Sequence, residues 1–135
     1  MPSTELTRRI LEAEQKQLTN VNCFGFVLFA LEILFEEQYV VLTREIIRRY
    51  LEVITKTIPE SGVIPSDSTV LGVYARNAKH YSHFALFTPT EQGAMVTERP
   101  YYGAPVRTIP LEQLTQEYVK TWGADAVEFH FMRSK

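Results

Sequence analysis

The sequence predicts an α+β domain in which N-terminal helices, including a central cysteine-bearing helix, pack against an antiparallel β-sheet. Three observations carry this. The hydrophobic period is helical as far as Ile58, it changes to two after the turn-rich joint PESGVIPSDS, and short β-type runs separated by turn residues then follow.

At 135 residues, 45% hydrophobic and 22% charged, the chain reads as one domain, 1–135, large enough to bury a core. A net charge of −2 with both signs interspersed leaves no basic stripe, so neither nucleic acid nor an anionic membrane is an expected partner. The N-terminus MPSTELTRRILEAEQ is charged where a secretory signal carries an apolar core, and a single cysteine closes no internal disulfide. Both features point to the cytoplasm.

The elements follow in order. Leu6, Ile10, Leu11 and Leu18 among charges predict an amphipathic helix over Ser3 to Leu18, capped by Ser3 or Thr4. The run Cys23 to Phe35 is apolar on every face apart from Glu32, and is too short to cross about 30 Å of hydrocarbon, so it is expected as a core helix. Leu42, Ile46, Ile47, Tyr50, Leu51, Ile54 and Ile58 give a third helix, ending before Pro59. Strands are expected over Val70–Ala75, His83–Phe87, Ala94–Thr97, Val106–Ile109 and Val127–Met132, with a short helix near Leu111–Val119.

Cys23 stands where the central helix starts. Asn20 or Asn22 can cap that helix, and its unpaired amides and positive dipole end favour a thiolate and could hold an oxyanion. Gly25 leaves one face of the turn bare, so a substrate or a neighbouring strand can come close to the sulfur. The same residue types also fit a small buried hydrophobe, and the choice turns on a histidine. His83 opens the strand SHFALF, with its ring expected to point off the sheet edge as a base. His80 falls in the loop RNAKHYS and is expected in solvent, while His130 alternates in VEFHFMR with a surface or supporting role. Neither His-x-x-x-His nor paired cysteine spacing occurs, and His80 with His83 leaves a metal short of ligands, so no metal or other cofactor is expected.

The segments NCFGFVLFAL, SHFALF and YYGAPVRTIPL together resemble the NlpC/P60 domains of the papain-like cysteine peptidase superfamily. Asn22, Cys23, Gly25, Phe26 and Val27 match the start of that family's central helix. Ser82 to Phe87 match its Ser-His-Val-Gly-Ile-Tyr-like strand, and Gly103, Pro105, Val106, Arg107, Pro110 and Leu111 its closing segment. Ser66-Asp67 stands where the family has Gly-Asp, and Phe24 where it has a small or hydroxylated residue.

The resemblance implies a cysteine-dependent hydrolase or acyl transferase acting on an amide bond, with Cys23 as nucleophile and His83 as base. A cell-wall-type peptide is one implied substrate; a peptide or other acyl compound is the implied class. The residue that orients His83 lies in the family on the next strand, which makes Glu98 the choice, with Thr97 or His130 as alternatives. Asn22, Gly25, Tyr81 and Tyr102 are the candidates for substrate contact. The competing reading is a catalytically silent binding or scaffold module presenting Tyr81, Phe84, Phe87, Tyr101 and Tyr102 to a ligand or an unidentified protein partner.

Overall fold

The computed structural model describes residues 4–16, 18–54, 60–61 and 69–132. Ser3, Ile58, Pro59 and the Ser66-Asp67 pair therefore lie outside the described residues. The first helix, α1 (Thr4–Gln15), is followed by α2 (Cys23–Ala30) and α3 (Arg44–Ile54). Strands β1 (Glu60–Ser61), β2 (Thr69–Ala75), β3 (His80–Thr90), β4 (Gly93–Glu98) and β5 (Arg107–Pro110) come next, then α4 (Leu111–Trp122) and β6 (Val127–Met132). All pairings are antiparallel and the sheet order is β1-β6-β2-β3-β4-β5. The α+β class is as expected. None of the described helices is long and apolar enough to cross a membrane.

Two apolar clusters lie on the two faces of the sheet. One joins α1, α2 and α3 to Val70, Phe84, Leu86 and Met132. The other joins Leu111, Leu114 and Tyr118 of α4 to Leu71, Ala85, Phe87, Val96 and Phe131. The sequence predicted one covered face; α4 covers the second with the stripe Leu111, Leu114 and Tyr118, one turn apart in succession.

Helix α2 is wholly buried and shorter than its apolar run. It ends at Ala30 because Glu32 takes a left-handed φ of 65° and turns the chain, and Phe35 is then 88% exposed. Arg9 of α1 donates Nη1 to the carbonyls of Phe29 (2.8 Å) and Leu34 (2.9 Å), satisfying groups at the helix's negative end. The returning chain then runs past the first turn of α2.

One irregularity decides which face each side chain takes. On β3, His83 opposes Val73 and Tyr81 opposes Tyr74, so Ser82 is an extra residue against β2. Without this bulge Tyr81 and His83 would share a face. With it, Tyr81 packs on the α1–α3 side against Phe84, while the His83 ring lies 5.8 Å from that of Tyr118 on α4.

Candidate functional site

The first turn of α2 is set by Asn22. Its Oδ1 accepts from the amides of Gly25 (3.0 Å) and Val40 (3.1 Å), and its Nδ2 donates to the Val40 carbonyl (2.7 Å). Asn22 is thus the cap expected of it, but buried and committed to the fold, not to a substrate. Gly25 is corrected likewise: a Cβ there would stand 1.7 Å from the Gln38 carbonyl oxygen, so the bare face admits the returning backbone. The carbonyl of Asn22 accepts from the Phe26 amide (3.1 Å), leaving the Cys23 and Phe24 amides as those of the first turn that the cap does not use.

Cys23 and His83 are brought together by their neighbours in sequence. Phe24 stacks on Phe84 with ring centroids 4.5 Å apart, so α2 and β3 meet one residue beyond each member of the pair. The Cys23 side chain is close enough to the His83 imidazole to act on its proton, raising its pKa. On its other side, Nε2 of His83 donates to Oε1 of Glu98 at 2.5 Å, which leaves Nδ1 as the nitrogen for the sulfur. Cys23 is 5% exposed, His83 2% and Glu98 0%.

Several positions differ from expectation. His83 does not open the strand or project from an edge; β3 begins at His80 and is an interior strand, with His83 enclosed. His80 is not in solvent, since its Nε2 bonds the Leu42 carbonyl at 2.7 Å. His130 lies away from the thiol, between Tyr81 (2.9 Å) and Glu128 (3.0 Å). Thr97 turns its hydroxyl to that of Thr108 at 3.0 Å. Alternation carries Val96 and Glu98 to the α4 side, so Glu98 alone of the three candidates reaches His83.

Tyr81 is directed by the bulge to the opposite face from His83, and its hydroxyl is taken by His130. Tyr102 is exposed and meets Tyr39 edge-on at 5.5 Å. The five aromatics imagined as one binding surface are dispersed: Phe84 and Phe87 are fully buried, in different clusters.

The structure also supplies groups that the sequence reading missed. Arg107, paired directly across from Glu98, donates Nε to Glu98 Oε2 (2.7 Å) and Nη2 to Glu117 of α4 (2.7 Å). Tyr118 covers the imidazole from α4. The available signals were the unlike charges at Glu98 and Arg107 on consecutive strands, and the place of Tyr118 on the Leu111–Leu114 stripe.

The electrostatics follow from this packing. Burial works to lower the His83 pKa, but Cys23 and Glu98 beside it outweigh that and raise it to about 9. Burial works to raise that of Glu98, and His83 and Arg107 together hold it below the usual carboxylate value. Tyr118 is pushed up by burial, with the charges of Glu98 and Cys23 adding to the effect, so its phenol stays protonated.

A cavity of about 470 Å³ reaches Glu98, with Arg107, Tyr118, Tyr101 and Trp122 among its walls. A larger one, about 700 Å³, lies between α4 and the opposite end of the sheet over Phe129 and Phe131, away from the thiol. Of these two, the smaller touches the charged chain. No family model matches the protein, and no curated protein or solved structure does.

Proposed function

We propose that the protein is a cysteine-dependent amide hydrolase or acyl transferase with Cys23 as nucleophile, His83 as base and acid, and Glu98 as the residue that orients the imidazole. One observation carries this: a buried thiol, imidazole and carboxylate side by side, drawn from three different elements, with the imidazole bonded to the carboxylate at 2.5 Å and its pKa raised by both neighbours. A cysteine serving only as a small core hydrophobe has no need of a raised histidine beside it. The likeness of the segments around Cys23 and His83 to NlpC/P60 domains supports the same chemistry, with a peptide of the cell-wall type among its substrates.

In the reaction, the thiolate of Cys23 attacks the carbonyl carbon and the carbonyl electrons move to oxygen, where the Cys23 amide donates a hydrogen bond. As the tetrahedral species collapses, the carbon–nitrogen bond breaks and the Nδ1 proton of His83 passes to the leaving amine. A thioester and a neutral imidazole remain. Water then attacks the thioester, giving its proton to Nδ1, and collapse expels the thiolate with release of a carboxylic acid. An amine in place of water gives transfer instead of hydrolysis.

The test uses p-nitrophenyl acetate as a small activated acyl donor, with intact mass spectrometry to find an acetyl group on Cys23. An adduct that forms in the native protein at about neutral pH and vanishes in Cys23→Ala and His83→Gln is expected. A native thiol that stays unacylated and reacts with iodoacetamide only after denaturation would return Cys23 to the core.

A further inference from the structure

We infer that Arg107 is a positioning residue that keeps the proton shared by His83 and Glu98 on the imidazole, braced for this task by Glu117 from α4. The inference deepens the reading above, on which its consequence for catalysis rests.

The argument begins with proton placement across a short bond. His83 Nε2 and Glu98 Oε1 stand 2.5 Å apart in a buried site. A proton between them has two homes. On nitrogen it makes an imidazolium and a carboxylate; on oxygen it makes a neutral imidazole and a carboxylic acid. Burial favours the neutral arrangement, because two charges removed from water lose more hydration than a single contact returns. The ionic arrangement needs a further cation on the carboxylate.

Arg107 is that cation. The groups facing Glu98 are His83 from β3, Arg107 from β5 and Tyr118 from α4, with Cys23 of α2 beyond the imidazole and Glu117 beyond the guanidinium. Arg99, next in the chain, is engaged elsewhere, with Glu37 and the carbonyls of Ala13 and Ala104. Tyr118 stays neutral. So, among the described residues, Oε2 of Glu98 has one charged partner, Arg107, and Oε1 has one, His83. Both bonds act to lower the carboxyl's pKa against the effect of burial.

The position of the proton matters to the thiol. An imidazolium gives the Cys23 sulfur an opposite charge, whereas a neutral ring whose Nε2 accepts from a protonated Glu98 carries its one proton on Nδ1. That ring offers Cys23 no charge, and it cannot take a proton from water at Nδ1. Glu117 enters as a brace: its Oε1 holds Nη2 of Arg107, so the guanidinium is fixed between two carboxylates on different elements.

The test reads the proton directly and needs no substrate. Nitrogen-15 imidazole shifts of the full-length protein at about pH 7 should give the imidazolium pattern for His83 in the wild type. In Arg107→Gln they should give the neutral pattern with Nδ1 protonated, and Cys23 alkylation by iodoacetamide at about pH 6 should slow by at least tenfold. Arg107→Lys, which keeps the charge, should retain the imidazolium. An imidazolium retained in a folded Arg107→Gln overturns the inference, whatever happens to alkylation. Should that variant fail to fold, Arg107→Met, which keeps the packing of the stem, is read by the same criterion. A wild type with the imidazolium pattern that never forms an acyl adduct sinks the proposed reaction and leaves the role of Arg107 standing.

Discussion

Among the described residues, two chains of side chains have nearly the same composition. One runs from Cys23 through His83 and Glu98 to Arg107. The other runs from Tyr81 through His130 and Glu128 to Arg76, with bonds of 2.9, 3.0 and 2.8 Å. Each is an imidazole between a hydroxyl or thiol and a carboxylate held by arginine. They differ in burial and in what the imidazole meets. Glu98 is enclosed, whereas the side chains of Glu128 and Arg76 are 29% and 46% exposed, where water screens their charges. Burial pushes the Tyr81 phenol well above its ordinary range, so this second chain ends on a group that keeps its proton. The order of residue types does not make a site. Enclosure and a thiol in place of the phenol are what set the first chain apart from the second.

Exchanging the histidines gives the largest contrast. His83→Gln should reduce acyl transfer by about 10² to 10⁴, the worth of general acid–base catalysis. His130→Gln should leave transfer unchanged and cost about 1 kcal/mol of stability for its lost hydrogen bonds. Glutamine is preferred to alanine because His83 is buried, not at a strand edge where its ring could be dispensed with. Equal losses of acyl transfer in the two variants would mean that the second chain also serves the reaction.

Exchanging the carboxylates comes next. Glu98→Gln should slow acyl transfer about 10- to 100-fold and destabilise the fold by about 3 kcal/mol, since it strips a buried histidine and an arginine of their partner. Glu128→Gln should cost at most about 1 kcal/mol.

The pH dependence has a definite sign. The His83 pKa rises from 6.5 to about 9 on folding, so its contribution to stability is complete below 6.5 and lost as pH rises through about 9. Glu98 is lowered from 4.5, so its contribution is present above 4.5 and lost as pH falls through its folded value. Urea unfolding of the wild type should weaken across the alkaline window, and His83→Gln should flatten that decline. The same decline in both proteins would place the alkaline sensitivity elsewhere. Thr97→Val should show the smallest effect, no change in thiol reactivity and a loss of about 1 kcal/mol or less from the Thr108 contact.

The sequence made local features legible and left long-range ones hidden. The start of α2 could be read because an asparagine cap and the apolar run after it are contiguous. Glu98 came from the family resemblance and from what a carboxylate does for an imidazolium; alternation set it and Thr97 on opposite faces without choosing between them. The burial of His83 could not be read, because it depends on β4 and α4 packing around a strand that looked like an edge. The place of Tyr81 was hidden by the extra Ser82 against β2, and period-two reasoning across a bulge gives the wrong face. Gly25 was recognised as a point of close approach, but the Gln38 backbone that approaches was hidden behind the left-handed turn at Glu32.

The residue that follows Glu98 ties the site to the folding of the whole chain. Arg99 is fully buried, and its guanidinium joins Glu37 and the carbonyl of Ala13, 62 and 86 residues upstream. Contacts of such separation form only when the N-terminal helix has docked, so the end of β4 cannot settle early in folding. Opening it in the native state breaks the bonds of Arg99 to α1 and to Glu37 as well as its pairing in the sheet. Amide exchange near Glu98 should therefore follow global unfolding, not local fraying. Cys23, His83 and Glu98 should then gain and lose their arrangement together.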